Sequence, residues 1–138
     1  MNAPSRTSRR PTDADYARLL AVRDGLRRFL RWSEEQASGS GVTPAQHQLL
    51  LAIKGHGEAP SVGDVAAHLL LKHHSAVELV DRAERAGLVR RVPDLDDNRV
   101  VRLELTREGD ERLAALAAAH LEQLARLRPD VERLWAGL

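Results

Sequence analysis

The chain contains no cysteine, which excludes a disulfide framework, a thiolate zinc site and a cysteine-based oxidant sensor. No apolar run approaches the roughly 20 residues that span a bilayer. The polar segment Met1 to Thr12, with Arg6, Arg9 and Arg10, lacks the apolar stretch of a signal peptide. We expect residues 1–12 to be a disordered basic arm and the protein to be cytoplasmic, with no membrane partner. Neither sign of charge dominates: 21 Lys and Arg against 20 Asp and Glu leave a formal +1. A protein that coats nucleic acid without sequence preference is usually far more basic. A Gly-rich phosphate loop, a Gly-x-Ser-x-Gly elbow, a His-Glu-x-x-His pair and a carboxylate dyad are all missing, so neither an enzyme nor a cofactor is expected.

The length of 138 residues suits one compact domain, expected over residues 13–138. Asp13 to Gln36 reads as a long helix, with Tyr16, Leu19, Leu20, Leu26, Phe29 and Leu30 mostly three and four apart. Ser38-Gly39-Ser40-Gly41 stops it. Thr43, Pro44 and Gln46 open a second helix with a capping box, and its nearly continuous apolar residues predict burial on most sides. Ser61 and Asp64 cap a third helix. A fourth begins near His73-His74-Ser75 and carries a stripe of Ala76, Leu79, Val80 and Ala83. Gly87 supplies a left-handed stop.

Two β-rich runs follow, Leu88 to Val92 and Val100 to Leu105, around a polar tip from Pro93 to Arg99. Thr106 caps the next helix, whose apolar face runs from Leu113 to Leu127. Pro129 is expected to break it, leaving a last short helix with Val131, Leu134, Trp135 and Leu138. The fold class is therefore mainly α with a small β-hairpin wing, a winged helix-turn-helix. Residues 43–105 form its lobe for double-stranded DNA, because a helix fits the major groove and a ribbon beside it reaches a second groove. The apolar faces of residues 13–36 and 106–138 exceed what one small core covers, which predicts a homodimer paired through these terminal helices.

Charge alone does not argue for DNA. From Lys72 to Arg107 eight basic residues meet seven acidic ones, so placement must carry the argument. On the fourth helix the candidate readers are His74, Ser75, Val77, Glu78 and Arg82. Arg82 can pair with guanine or phosphate, Val77 can touch a thymine methyl, and Glu78 can accept from a cytosine amine or merely pair with Arg82. Ser75 suits a phosphate contact. Arg99, at the ribbon tip, suits the negative potential of a narrow minor groove. The nearby acids Asp94 and Asp96 repel phosphate, so they are expected to point away or to pair with Arg90, Arg91 or Arg102. His68, His73 and His74 invite a metal-sensor reading, but adjacent helical side chains diverge by about 100°, and no metal is expected there.

Three segments occur in order: Ala86-Gly87-Leu88-Val89-Arg90-Arg91, Asp97-Asn98-Arg99 and Leu105-Thr106-Arg107-Glu108-Gly109. Together they resemble the MarR-type family of bacterial transcription regulators, and the likeness extends over the helical layout from Asp13 to Leu138. The resemblance implies a sequence-specific, ligand-responsive repressor acting as a homodimer on a pseudo-palindromic operator. It makes Arg99 the minor-groove residue, with Asp97 orienting its guanidinium. It also implies a small anionic or aromatic effector where the dimerisation helices meet the DNA lobe, for which Arg28, Trp32, His47 and His120 are candidate lining residues. The alternative from another class is a winged-helix module that binds protein without reading DNA.

Overall fold

The computed structural model describes residues 9–136, so most of the expected basic arm, Met1 to Ser8, lies outside the described residues. Five helices and one hairpin follow in order: α1 (Asp13–Gly39), α2 (Pro44–Gly55), α3 (Val62–Leu69), α4 (His73–Arg85), β1 (Val89–Pro93), β2 (Val101–Leu105) and α5 (Arg107–Trp135). Local chemistry sets most boundaries. Thr12 with Asp15, Thr43 with Gln46 and Ser61 with Asp64 each form a reciprocal capping box. Thr106 accepts from the Gly109 backbone N–H to start α5. Gly87, at φ +77°, turns the chain out of α4 in the left-handed region that a side chain disfavours.

The strands pair antiparallel, with Val89 opposite Leu105 and Pro93 opposite Val101. At their root the Leu103 N–H donates to the Pro60 carbonyl (2.8 Å) and the Thr106 N–H to that of Leu88 (3.0 Å). The wing is thereby tied to the entry of α3 and the start of α5. The core under these elements combines Leu49, Leu50 and Ile53 of α2, Val65 of α3, Leu79, Val80 and Ala83 of α4, Leu88, Val89 and Leu103 of the wing, and Leu113 of α5. Burial of such side chains stabilises by about 1.5–3 kcal/mol each.

Helix α1 contributes almost nothing to this core. Its one fully buried residue is Ala37, while Tyr16, Leu19, Leu20, Leu26 and Leu30 are all more than half exposed. The distal half of α5 behaves alike, with Leu121 68% and Trp135 59% exposed. Among the described residues no helix is long and apolar enough to cross a membrane.

Two expectations need correction. Pro129 does not break α5, which runs unbroken to Trp135. Proline deletes one N–H donor and costs about 3 kcal/mol in a helix interior. Here the orphaned carbonyl lies on an exposed stretch where water can satisfy it. Ion pairs Glu122–Arg126, Arg128–Glu132 and Asp130–Arg133 support both sides of the proline. Nor is α2 buried on most sides, because Leu51 is 54% exposed and Gln48 and Lys54 also lie exposed.

Candidate nucleic-acid interface

Helix α4 is strongly two-faced. Ala76, Leu79, Val80 and Ala83 are buried, and this fixes which residues face outward. His74, Glu78 and Arg82 are exposed, Ser75 and Val77 are half-buried at the margins, and Lys72, His73 and Arg85 extend the exposed row. The helix starts at Lys72 with no side-chain hydrogen bond to its first turn. Its first backbone N–H groups therefore lack the side-chain acceptor that begins each of the other helices. The turn into α4 passes through Leu70, which is left-handed (φ 55°, ψ 40°) and 92% exposed. Such a conformation costs a non-glycine residue roughly 1–2 kcal/mol. The run Leu69-Leu70-Leu71 carries no Gly or Asn to announce it.

The near-neutral charge count conceals a sorting of charge. Arg91 donates to Asp81 (2.7 Å) and Glu84 (3.0 Å), drawing the acids of α4 toward the wing. Arg90 pairs with its cross-strand neighbour Glu104 at 2.9 Å. Asp94 pairs with Arg102 at 2.9 Å and not with Arg90 or Arg91, while Asp96 stays exposed. The Asp94 carboxyl is held below its ordinary pKa, first by the Asp96 backbone N–H and then by the Arg102 guanidinium. Glu78 lies 3.8 Å from Arg82, an exposed and loose i,i+4 contact. Lys72, Arg82, Arg85 and Arg99 are exposed, whereas Asp81, Glu84, Asp94 and Glu104 are engaged by Arg91, Arg102 and Arg90.

At the tip, Asp97 accepts from both the Arg99 backbone N–H (3.0 Å) and its Nε (3.2 Å). The Arg99 side chain is otherwise 91% exposed. A carboxylate that holds Nε leaves the two terminal nitrogens directed outward. This pairing is local in sequence. The bond of Arg102 to Asp94 is not, and sequence reading did not include either residue among the site residues.

A second cluster lies where α1, α2 and α5 meet. His120 stands between Trp32 and His47, each with its ring centroid 4.8 Å away, and Phe29 approaches edge-on at 6.1 Å. The His120 Nδ1 lies 2.7 Å from the Leu116 carbonyl and its Nε2 2.7 Å from the Ser33 hydroxyl. Because a carbonyl only accepts, Nδ1 carries the proton. Burial, with His120 beside it, pushes the pKa of His47 down. Arg28 does not join this group. Its Nε turns back along α1 to the Asp24 carbonyl (3.2 Å) and the head remains in water. Phe29 and Ser33, which sequence reasoning missed as site residues, take its place, and their i, i+4 spacing puts them on one face of α1.

The proposed histidine constellation does not converge. His68 Nε2 sits 2.9 Å from Nδ1 of His56. Among the described residues no group of three His, Asp or Glu side chains is arranged to hold a metal ion.

The MarR family profile matches residues 40–99, from the end of α1 to Arg99. The HTH-type transcriptional repressor MdtR of Bacillus subtilis (strain 168) is 34% identical over 92 residues, 67% of this chain. The match spans 59% of that relative's own length. The crystal structure of the YusO protein from Bacillus subtilis superposes with a TM-score of 0.63 at 28% identity, covering 85% of this chain and 83% of YusO. CouR from Rhodococcus jostii RHA1, solved bound to p-coumaroyl-CoA, gives a TM-score of 0.70 at 25% identity, covering 85% of this chain and 81% of CouR. Through residues 40–99 the chain is similar to the MarR family, and its fold is the winged helix-turn-helix.

Proposed function

We propose that this protein is a sequence-specific DNA-binding transcription regulator, a ligand-responsive repressor working in the cytoplasm as a homodimer. The observation that carries the reading is the pairing of two outward elements: the α4 face of His74, Ser75, Val77, Glu78 and Arg82, and the Asp97-braced Arg99 on the wing. A helix of this kind enters a major groove while a ribbon-tip arginine enters the adjoining minor groove. The uncapped first turn of α4 offers N–H groups to a phosphate. MdtR, described as a transcriptional repressor, supports the regulatory assignment.

The division of labour follows the burial pattern. Residues 43–105 act as the DNA-binding lobe. The exposed apolar faces of α1 and α5, over residues 13–36 and 106–138, pair with those of a second copy. The operator is then a pseudo-palindrome whose half-sites lie about 10 base pairs apart. A small anionic or aromatic effector acts at the junction of α1, α2 and α5, among Trp32, His47 and His120. The CouR complex with p-coumaroyl-CoA supports a ligand of that character.

Selection of fragments from a random duplex library by the purified protein, followed by footprinting, tests the reading. A recovered site with dyad symmetry is expected. Failure to enrich any sequence at low salt would refute it.

A further inference from the structure

We propose that Arg102 is a positioning residue that braces the wing by joining Asp64 on α3 to Asp94 at the base of the hairpin tip, and so sets the direction in which Arg99 leaves the ribbon. Both Nε and Nη2 of Arg102 reach Oδ2 of Asp94 at 2.9 Å, and Nη1 lies 3.9 Å from Oδ2 of Asp64. Asp94 is the most shielded of the ion-paired acids, its side chain 17% exposed. Its second oxygen, Oδ1, accepts from the Asp96 backbone N–H at 2.8 Å. The Asp94 N–H in turn donates to the Val100 carbonyl (2.9 Å), and the Val100 N–H to that of Asp97 (3.0 Å). Asp97 holds Arg99 through the Arg99 backbone N–H and Nε.

A continuous set of hydrogen bonds thus runs from Arg102 through Asp94 into the turn that carries Arg99, and Asp64 of α3 adds a longer ionic contact to the same guanidinium. Asp64 is itself fixed, because it accepts from the Ser61 backbone N–H at 3.0 Å in the α3 capping box. A two-stranded ribbon that projects into solvent has little packing to hold its tip. A partly shielded, charge-assisted contact at its base supplies that order before any DNA arrives.

The inference rests on the DNA-binding reading, and one substitution separates a brace from plain charge. Asp94 carries a negative charge near the proposed phosphate-facing surface. If only net charge mattered, Asp94→Asn would tighten DNA binding, as Asp96→Asn should, because Asp96 braces nothing through its carboxylate. If Asp94 and Arg102 form a brace, Asp94→Asn weakens binding although it removes an acid.

The experiment measures operator affinity at several salt concentrations for Asp94→Asn, Arg102→Gln, Asp96→Asn, Arg99→Ala and the Arg99→Ala/Arg102→Gln pair. Losses of roughly tenfold are expected for Asp94→Asn and for Arg102→Gln, within the range of coupling seen inside one ion-pair network. Their salt slopes stay at the wild-type value, because neither residue touches phosphate. The double variant binds no more weakly than Arg99→Ala alone. Wild-type or tighter binding by Asp94→Asn overturns the proposal, and so does a reduced salt slope in Arg102→Gln, which would make Arg102 a direct phosphate contact.

Amide hydrogen exchange in the free protein supplies a readout independent of DNA. Arg102→Gln should speed exchange at Asp96, Asp97 and Val100 while leaving the α4 core amides protected. Unchanged exchange at the tip overturns the brace, even if no operator were bound by any variant. Absence of wild-type DNA binding with faster tip exchange in Arg102→Gln would instead refute the DNA reading alone.

Discussion

Gly109 in the first turns of α5 packs against the backbone of Leu88 so closely that a Cβ added there would lie 2.1 Å from the Leu88 carbonyl oxygen. This approach seats the start of α5 on the root of the wing, where the Leu88 carbonyl also accepts from the Thr106 N–H. It gives a physical reason for glycine at the end of Leu105-Thr106-Arg107-Glu108-Gly109. Alanine would normally favour a helix by about 1 kcal/mol over glycine. At this position Gly109→Ala should destabilise by about 3 kcal/mol, because backbone rather than a movable side chain must give way. Gly63→Ala is the control, since its added methyl meets only the Ser61 hydroxyl at an ordinary 3.6 Å. Urea unfolding of both variants checks the opposite signs.

Stability should depend on pH through His47. Its pKa is lowered by burial and then by His120. Below about pH 6.5 the unfolded chain therefore binds a proton at this position that the folded chain resists. Native stability falls as pH drops below that value, and the loss is complete once pH passes the lowered folded pKa. The depressed carboxyls Asp15, Asp64 and Asp94 act in a separate, more acidic window, because their folded values lie below 3.8. Melting curves between pH 7.5 and pH 5, roughly the range in which histidine titrates, should show a decline in the wild type that His47→Leu largely removes.

Dimerisation should depend on apolar residues that the single chain leaves in water. Leu121 and Leu124 are 68% and 48% exposed on α5. A double Leu121→Glu/Leu124→Glu substitution should give a monomer by light scattering where the wild type is a dimer. The lobe should stay folded, because neither residue enters the core under α4 and the wing. Operator affinity should fall by about 100-fold or more, since the two half-sites then bind separately.

Much of this architecture was legible because its signals are local. Thr43 with Gln46 and Ser61 with Asp64 mark helix starts within four residues, and the left-handed Gly87 marks a helix stop. The stripe of Ala76, Leu79, Val80 and Ala83 settles the outward face of α4 by periodicity. What escaped depends on distance in sequence. The sequence left Arg90, Arg91 and Arg102 open as partners of Asp94, and the choice of Arg102 is made across a hairpin, while Arg91 meets Asp81 and Glu84 across a helix–strand turn, where several acids compete for each cation. The charge count could not show that sorting. Pro129 misled because its cost is an average over buried and exposed helices, whereas the end of α5 is hydrated and lined with i,i+4 ion pairs. Arg28 misled because a long side chain chooses between water and the helix junction, and it turned to the Asp24 carbonyl.

On the recognition helix, Arg82→Ala should relax base preference at one position in each half-site and cost on the order of 1–3 kcal/mol, if its guanidinium reads a guanine edge. The Glu78 contact at 3.8 Å is too loose to hold Arg82 away from a base. Comparison of the variant on a panel of single-base operator changes checks this. A uniform loss across the panel would place Arg82 on phosphate instead.

The most direct test of the account is Arg99→Ala, because Arg99 is the most specific residue of the proposed interface and lies outside the core. Operator-binding isotherms of wild type and variant at four or more salt concentrations supply the measurement. The account predicts weaker binding to operator and to scrambled DNA, with the slope of log affinity against log salt reduced by about one ion. Wild-type affinity and slope in the variant would contradict it, because the wing would then not be the element that enters the minor groove.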